Sequence, residues 1–597
     1  MAESAMIEEV QEIHESNMNE MYTSDGSVDW KGQRAVKGKS GGWSVGILLL
    51  ANQGLATLAF FGVGVNLVMF MTKVLHLDNA EAANHVSTWT GTTYMFSLLG
   101  AFVSDSYWGR YKTCAVFQIV FVIGLVELSL SSYLLLLKHC VPGDGTANCE
   151  PPTDLEIIVF YLSIYQIALG CGAYQPAITT FGADQFEEDD REEGGSKVAF
   201  FSYFYMANNL GTLVSNTLLA YLEDKGKWVI SFSISTGAAF IALVLFFTGT
   251  PRFRHFKPGG NPLTRFCQVI VAALKKWKRV TMSLRGEDLH EVDGKPGANN
   301  GGRKILHTPD FKFLDRAAVV TLEDLPPQDQ QHPKNKWRLC TVTQVEEVKC
   351  ILRLIPIWLC TIIYSVTYTQ RASVFVEQGA TMKNSLSEFR IPPASMSIFE
   401  ILSVTVFVLL YRLYIIPLLS RLWKSNHKGL TELQRMGIGI VISAMAMVSA
   451  GVVELQRLKY SKNDHEASKG SSSLSISWQI PQYVMVGASE VFMYVAQMEF
   501  FNNQAPDGLK SFGSALYVAS MSAGSYASSF LVTIVVEITG KGDQIGWISK
   551  NLDKGHMDRF YFLLAALATI DLFVFMACAK RYRWTLFDGK LGVVNDV

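Results

Sequence analysis

Long hydrophobic runs alternate with short polar stretches along most of the chain. Residues 43–72 contain no Asp, Glu, Lys or Arg. A bilayer core of about 30 Å is spanned by about 20 apolar residues in a helix, so this run is long enough to cross a membrane. Comparable runs follow at roughly 87–104, 113–137, 156–178, 198–221, 228–249, 351–376, 396–419, 436–453, 478–500, 511–537 and 560–579. The pattern predicts an all-α membrane protein with twelve transmembrane helices.

One long polar interruption divides these runs into two sets of six. A plan of this kind predicts two helix bundles that rock around a site in the middle of the membrane. The predicted parts are an N-terminal tail at 1–42, a six-helix bundle at 43–250, a linker at 251–345, a second six-helix bundle at 346–582 and a C-terminal tail at 583–597.

The basic stretch from Lys275 to Arg279, inside the linker, has two interpretations. It can contact anionic lipid, or it can belong to a solvated linker helix.

The distribution of Lys and Arg predicts the orientation. Basic residues follow the second, sixth, eighth and twelfth runs, and such residues concentrate on the cytosolic side. The acidic, polar N-terminus lacks the basic flank and apolar core of a signal peptide. We therefore expect both tails and the linker to be cytosolic, and residues 138–155 to face outside.

Composition narrows the function classes. The chain of 597 residues is 49% hydrophobic and nearly balanced in charge, with 52 basic and 53 acidic residues. Balanced charge gives no indication of nucleic-acid binding. The sequence shows no glycine-rich nucleotide-binding motif, no Cys or His pattern with the spacing of a zinc site, and no catalytic cluster. We expect a transporter driven by an ion gradient, with no cofactor or metal, rather than an enzyme.

Nine cysteines are present, and most are expected inside helices, where cysteines usually act as small apolar fillers. Cys140 and Cys149 differ because they bracket a loop that is predicted to face outside. A disulfide between them is one of two open possibilities, since the extracellular side is oxidising.

Several motifs carry a family resemblance. The stretch Gly100 to Thr113, GAFVSDSYWGRYKT, resembles the loop between the second and third helices of the major facilitator superfamily. In that loop Asp105 can cap a helix end while Arg110 pairs across the bundle, which predicts a latch on the cytosolic gate.

Two further motifs, FGADQF at 181–186 and FYMANNLG at 204–211, resemble signatures of the proton-dependent oligopeptide transporter family. Segments at 25–29, 249–252, 345–349, 392–396, 433–437 and 508–515 are similar to the plant nitrate/peptide transporter family. Residues 342–363 and 52–66 look most like its seventh subfamily, whose studied members move nitrate into or out of xylem tissue. The resemblance implies a major facilitator fold, alternating access, and nitrate moved with protons.

The chain also departs from the family pattern. The acidic motif and arginine usual on the first helix are replaced by Gln53, Ala56 and Thr57. The lysine that balances that motif in many members is Gln175, and the histidine that contacts nitrate in the studied plant carrier is Tyr368. The absence of the acids and the absence of the lysine are consistent with each other, because a lysine left without its acids would be a buried unpaired charge.

The remaining polar groups are the candidates for chemistry. Glu490 lies within the tenth run, where a lone carboxyl group can take up and release protons, or can be a satisfied structural acid. Arg371 lies one turn after Tyr368, so both occupy one face. Its guanidinium can hold nitrate through two hydrogen bonds, or it can pair with Glu490 or Glu400. Neutral donors that can line the cavity are Tyr368, Gln53, Thr57 and Gln175.

Thr113 follows Arg110 at the start of the third predicted helix. It aligns with a phosphorylation site of the plant nitrate sensor, so a kinase is a possible partner. Phosphate would add a charge of roughly −2 beside basic residues. The alternative is an ordinary threonine at a helix end.

The favoured function is proton-linked nitrate transport in the plasma membrane, with the vacuolar membrane as the alternative location. The competing functions are a proton/potassium antiporter, a peptide or hormone carrier, and a low-flux nitrate sensor.

Overall fold

The computed structural model describes residues 22–584 with gaps. The gaps fall at 24, 66, 76, 78, 139–152, 188–192, 257–261, 278–288, 291–304, 322–336, 373, 387–388, 392, 423–429, 464–471, 541–545, 549–551 and 554. The predicted disulfide between Cys140 and Cys149 lies outside the described residues.

The first half of the chain is helical. Its helices are α1 (Trp43–Gly64), α2 (Leu67–Lys73), α3 (Asn79–Val103), α4 (Arg110–Lys138), α5 (Asp154–Ala183), α6 (Gly194–Val214), α7 (Ala220–Asp224) and α8 (Trp228–Gly249). The start of α5 is fixed by a capping box, in which Glu156 accepts a hydrogen bond from the Thr153 backbone N–H at 3.0 Å. Such caps satisfy the free N–H groups of the first turn.

The linker holds α9 (Pro262–Lys275) and α10 (Lys312–Asp315). The second half contains α11 (Val342–Thr369), α12 (Val374–Ala380), α13 (Ser397–Leu410), α14 (Ile416–Leu422), α15 (Glu432–Asn463), α16 (Ile480–Glu490), α17 (Ala496–Gln504), α18 (Lys510–Thr539) and α19 (Met557–Arg581). Among the described residues, strands are confined to a hairpin of β1 (Ser385–Leu386) and β2 (Phe389–Arg390). The predicted all-α class is therefore confirmed.

Helix α11 begins inside the segment that the sequence assigns to the linker. Thr341 caps it, because its hydroxyl accepts from the Gln344 backbone N–H and its own N–H donates back to the Gln344 side chain, both at 3.3 Å. The linker thus ends a few residues before 345.

Among the described residues, four of the helical runs contain a five-residue π-helical turn, at 104–108, 215–219, 411–415 and 491–495. Such turns are rare and often occur at functional sites. The first contains Asp105, and the last follows directly after Glu490. Both candidate residues therefore lie where the regular helical register changes.

Packing separates the helices into two bundles. α4 packs on α5 and α1 on α8 in the first, while α15 packs on α19 and α11 on α18 in the second. Close crossings require small residues: a Cβ at Gly211 on α6 would collide with the Gly54 carbonyl oxygen on α1. Between the bundles, α18 contacts α3 and α5, and α13 contacts α6.

The number of membrane spans is only partly settled. In the described part of the chain, nine helices are long and apolar enough to cross a membrane. The three other predicted spans correspond to α3, to α6, and to α16 with α17. α3 and α6 carry more polar residues, and a π turn separates α16 from α17. Twelve spans therefore remain a prediction.

Two segments predicted to be cytosolic pack on the bundles. In the linker, Val269, Ala272 and Leu314 form a small apolar core with the first turns of α11. In the N-terminal tail, Val28 exchanges backbone hydrogen bonds with His255, which follows α8. Both segments lie at the same end of the helices as Asp105 and Arg110.

Candidate functional site

Arg371 lies in a 3₁₀ turn directly after α11. Its Nε atom is 3.0 Å from Oε1 of Glu400, an ion-pair distance, although the angle does not make a hydrogen bond. The guanidinium also covers the ring of Tyr368, 4.3 Å from the centroid. Arg371 thus pairs with Glu400, the second of the acids considered from the sequence, and shares a face with Tyr368.

Two carboxyl groups meet beside this arginine. Glu400 lies in the first turn of α13 and Glu490 at the end of α16. Both are almost fully buried, and their charges act on each other and on Arg371. Oε2 of Glu400 and Oε1 of Glu490 have no donor among the described residues. Two ionised carboxylates placed together in a buried site would repel each other.

We call Arg371, Glu400 and Glu490 the charged cluster. Tyrosines surround it: the Tyr494 ring lies 5.0 Å from that of Tyr368 and 5.2 Å from that of Tyr364. The Tyr205 hydroxyl donates to Oε2 of Glu490 at 3.1 Å. Because Tyr205 lies on α6, this bond joins the two bundles.

The opposite side of the site is neutral. Gln53 and Thr57 on α1 each donate to Oδ1 of Asn208 on α6, both at 2.8 Å. Oε1 of Gln53 is buried and has no donor among the described residues. We call Gln53, Thr57 and Asn208 the neutral cluster.

Helix α6 links the two clusters. Asn208 follows Tyr205 by three positions, so the two side chains share one face. Gln175, on α5, is half-buried, and no contact places its side chain in either cluster.

A latch closes the end of the bundles predicted to be cytosolic. The Asp105 carboxylate accepts from the backbone N–H of Phe512 at 3.0 Å and of Ser511 at 3.4 Å, in the first turn of α18. An acid at a helix N-terminus is favoured by the helix dipole. Asp105 therefore caps a helix of the opposite bundle.

The charged contacts of Arg110 described here lie within the first bundle. It forms an ion pair with Asp184, at the end of α5, and lies 4.0 Å from Asp105. It thereby holds Asp105 in position on the first bundle.

Thr113 is buried, and its hydroxyl donates to the Gly109 carbonyl at 2.9 Å. A kinase would reach it only after this helix end opens, so phosphorylation stays a prediction.

One group of metal-type ligands occurs among the described residues, formed by His307, Asp315 and Glu346. The Lys349 ammonium lies within it, 2.6 Å from Asp315 and 2.8 Å from Glu346. Because Lys349 pairs with both acids and Arg353 lies 3.7 Å from Glu346, the group is a linker ion-pair network that does not suit a metal.

Sequence reasoning missed three members of the site. Asn208 belongs to the motif at 204–211, which the sequence linked only to the family, although its side chain is the acceptor of the neutral cluster. Tyr205 lies in the same motif, but neither Tyr205 nor Tyr494 was assigned a role, because an aromatic residue in an apolar run predicts a packed core.

Comparison with known proteins gives consistent matches. The model of the POT family matches residues 111–548. Protein NRT1/PTR FAMILY 7.3 of Arabidopsis thaliana is 61% identical over 574 residues, which cover 96% of this chain and 93% of that protein. Protein NRT1/PTR FAMILY 7.2 of the same plant is 58% identical, covering 95% of this chain and 96% of its own. The resemblance to the seventh subfamily is thus confirmed.

Solved structures support the fold. An auto-inhibited POT family peptide transporter has a TM-score of 0.57 at 20% identity, covering 92% of this chain and 99% of its own. The POT family transporter PepTSo has a TM-score of 0.58 at 21% identity, covering 90% of this chain and 98% of its own. These matches confirm the predicted major facilitator fold.

Proposed function

The chain belongs to the POT family of membrane transporters, and on that basis we propose that it carries nitrate together with protons by alternating access. The family is one of transporters rather than enzymes. The plasma membrane is our proposed location.

The observation that carries the proposal is that one arginine pairs with a buried acid and is still partly exposed. Arg371 contacts Glu400 through Nε, and its side chain is 29% exposed. No described acceptor contacts its two terminal nitrogens. A planar anion such as nitrate fits this edge, because a guanidinium offers two parallel N–H groups to a pair of oxygens.

Charge balance suggests how protons would couple to the anion. A buried site is costly unless its charges cancel. In the empty site, Arg371 is balanced by one ionised acid, and the other acid keeps a proton. When nitrate binds, Arg371 is balanced by nitrate, so both Glu400 and Glu490 must be protonated for the site to stay neutral. The loaded and empty states then differ by one proton and one nitrate.

Neutral surroundings favour the same cycle. The neutral cluster adds no charge to compete with the anion, and Tyr368 offers a hydroxyl group beside Arg371. The cycle therefore needs none of the acids and the lysine that the chain lacks on α1 and α5.

A second candidate, proton/potassium exchange, is favoured by the excess of acid. With both carboxyl groups ionised, the charged cluster has one net negative charge and two carboxylate oxygens without donors. Such oxygens suit a hard monovalent cation. Potassium flux that runs against protons and does not depend on nitrate would support this candidate over the first.

Nitrate binding to purified, bilayer-reconstituted protein tests the proposal across a range of pH. In the wild type, affinity should rise about tenfold per unit fall in pH where one proton is taken up with each nitrate. Glu400→Gln/Glu490→Gln has no carboxyl group left in the charged cluster to exchange a proton, so its pH dependence should flatten. Arg371→Met should weaken binding about 10- to 100-fold at every pH, which is the usual range for a hydrogen bond to a charged group.

Arg435→Met is the matched control. Arg435 pairs with Glu499, an equally buried acid in the same bundle but away from the charged cluster. This variant should lose thermal stability and keep the wild-type nitrate affinity and pH dependence. Unchanged nitrate affinity in Arg371→Met would contradict the proposal.

A further inference from the structure

The linker helix α9 has two apolar faces. Val269, Ala272 and Ala273 are buried against α10, the turn after it and α11. Ile270, Leu274 and Trp277 are 36%, 61% and 51% exposed. These three positions are spaced by four and three residues, so they form one stripe on the outer side of α9 and the turn that follows it.

Two exposed aromatic residues extend this stripe. Phe313, in α10, has its ring centroid 6.4 Å from that of Trp277, and the Phe311 ring lies 6.2 Å from the Phe313 ring. Phe311 and Phe313 are 36% and 38% exposed. We call Ile270, Leu274, Trp277, Phe311 and Phe313 the linker apolar face. It lies outside the hydrophobic runs, and contiguous exposed apolar groups in such a place mark a binding surface.

Basic side chains border the linker apolar face. The Arg316 guanidinium stacks on Trp277 at 4.7 Å, and Lys275 and Lys312 are exposed. Lys276 is buried and donates to the Val319 carbonyl at 2.6 Å, so it faces inward. The neighbouring acid Asp315 is engaged by Lys349 at 2.6 Å. Aromatic groups with a positive border match the surface of an anionic bilayer.

The position of α9 agrees with this partner. Arg265 forms an ion pair with Glu347 at 2.6 Å, which fastens α9 to the second turn of α11. The rest of α11 forms part of a candidate membrane span, Val342–Ala380. α9 is therefore held beside the point where that span begins.

We propose that the linker apolar face binds the anionic inner leaflet of the membrane. Trp277, Phe311 and Phe313 enter the headgroup region, where aromatic side chains are favoured. Lys275, Lys312 and Arg316 contact lipid phosphates.

Cys267 provides a probe on the full-length protein, because it is exposed and lies three positions before Ile270 on the same stripe. A fluorophore on Cys267 is measured in vesicles that contain anionic phospholipid, and signal from a Cys267→Ser preparation is subtracted. Lipids with a nitroxide near the headgroup should lower its emission about twofold, as expected for a group at the headgroup boundary. The effect should shrink in vesicles without anionic lipid and in Leu274→Ser/Trp277→Ser.

The matched control is a fluorophore on Lys31→Cys in the Cys267→Ser background. Lys31 is exposed in the N-terminal tail, so iodide in the buffer should quench this label and the lipid nitroxide should not. Equal iodide quenching at Cys267 without lipid quenching would mean a solvated face and would overturn the proposal. A Cys267 label reached by neither quencher would mean a protein cover, which also overturns it.

Discussion

Gln53 and Thr57 share one acceptor, the Oδ1 atom of Asn208. The Gln53 amide and the Thr57 hydroxyl are uncharged, so both can donate to one acceptor without a counter-ion in the site. At the residue scale, the first bundle is therefore adapted to neutral side chains, and the second bundle supplies the charges of the site.

The triple variant Gln53→Glu, Ala56→Glu, Thr57→Arg tests this adaptation. All three positions are buried, and the new charges would lack a complete set of partners. We expect a loss of about 3–5 kcal/mol in the free energy of unfolding, as for a buried pair with a missing member. Thermal unfolding in detergent measures it.

Adding Gln175→Lys to that variant supplies a cation and is the matched comparison. Part of the lost stability should return. A triple variant with wild-type stability and flux would mean that positions 53, 56 and 57 do not face a dry interior.

The sequence predicted part of the site. One turn separates Tyr368 from Arg371, so their stacking follows from helical periodicity. The choice of Glu400 over Glu490 as the partner of Arg371 did not follow, because it depends on how α13 and α16 pack. The role of Asn208 was also hidden, since a packing amide and a cavity amide look identical in sequence.

At the scale of elements, we expect the N-terminus of α18 to be the moving half of the predicted latch. Asp105 caps it from the opposite bundle, and Ser104 and Ser511 place their hydroxyl oxygens 3.2 Å apart. These contacts must break whenever this end of the bundles opens.

A disulfide across the latch should stop transport. The Oγ separation of Ser104 and Ser511 is close enough for Ser104→Cys/Ser511→Cys to form a bond with minor adjustment. Flux into vesicles should fall to background under oxidation and return with dithiothreitol.

Ser129→Cys/Thr236→Cys is the control for this experiment. In the wild type, the hydroxyl oxygens of Ser129 on α4 and Thr236 on α8 are 2.9 Å apart, and both residues belong to the first bundle. Oxidation should leave its flux unchanged. Normal flux with a complete Ser104→Cys/Ser511→Cys crosslink would show that the two bundles do not separate there.

The helices were the most predictable elements, because charge-free runs of about 20 residues have few alternatives to a membrane helix. The four π turns were not predicted, since one extra residue in a turn barely alters the hydrophobic pattern. The start of α11 at Val342 was misplaced because its first turns are polar and pack on the linker rather than on lipid.

At the scale of the whole molecule, polar contacts tie the bundles together at the predicted cytosolic end. Thr180 and Ser514 have their hydroxyl oxygens 2.8 Å apart, and Asn502 donates to Thr180 at 3.3 Å. Together with Asp105 they close this end, which corresponds to one state of a rocking cycle.

Orientation in the membrane can be checked with two single cysteines in a cysteine-free background. Gly145→Cys should react with an impermeant maleimide on intact cells, because residues 138–155 are predicted to face outside. His290→Cys, in the linker, should react only after permeabilisation. Labelling of His290→Cys on intact cells would reverse the predicted orientation.

The ratio of acids to arginine also limits how far this protein can concentrate its cargo. If one proton accompanies each nitrate, no net charge crosses the bilayer, and the membrane voltage performs no work on the cycle. A pH difference of one unit, worth about 1.4 kcal/mol, would then sustain only about a tenfold nitrate ratio. A second proton per nitrate would add about 2.3 kcal/mol for each 100 mV. If the proposed one-to-one cycle holds, a site with one arginine and two acids suits accumulation of nitrate against modest gradients rather than scavenging from a dilute source.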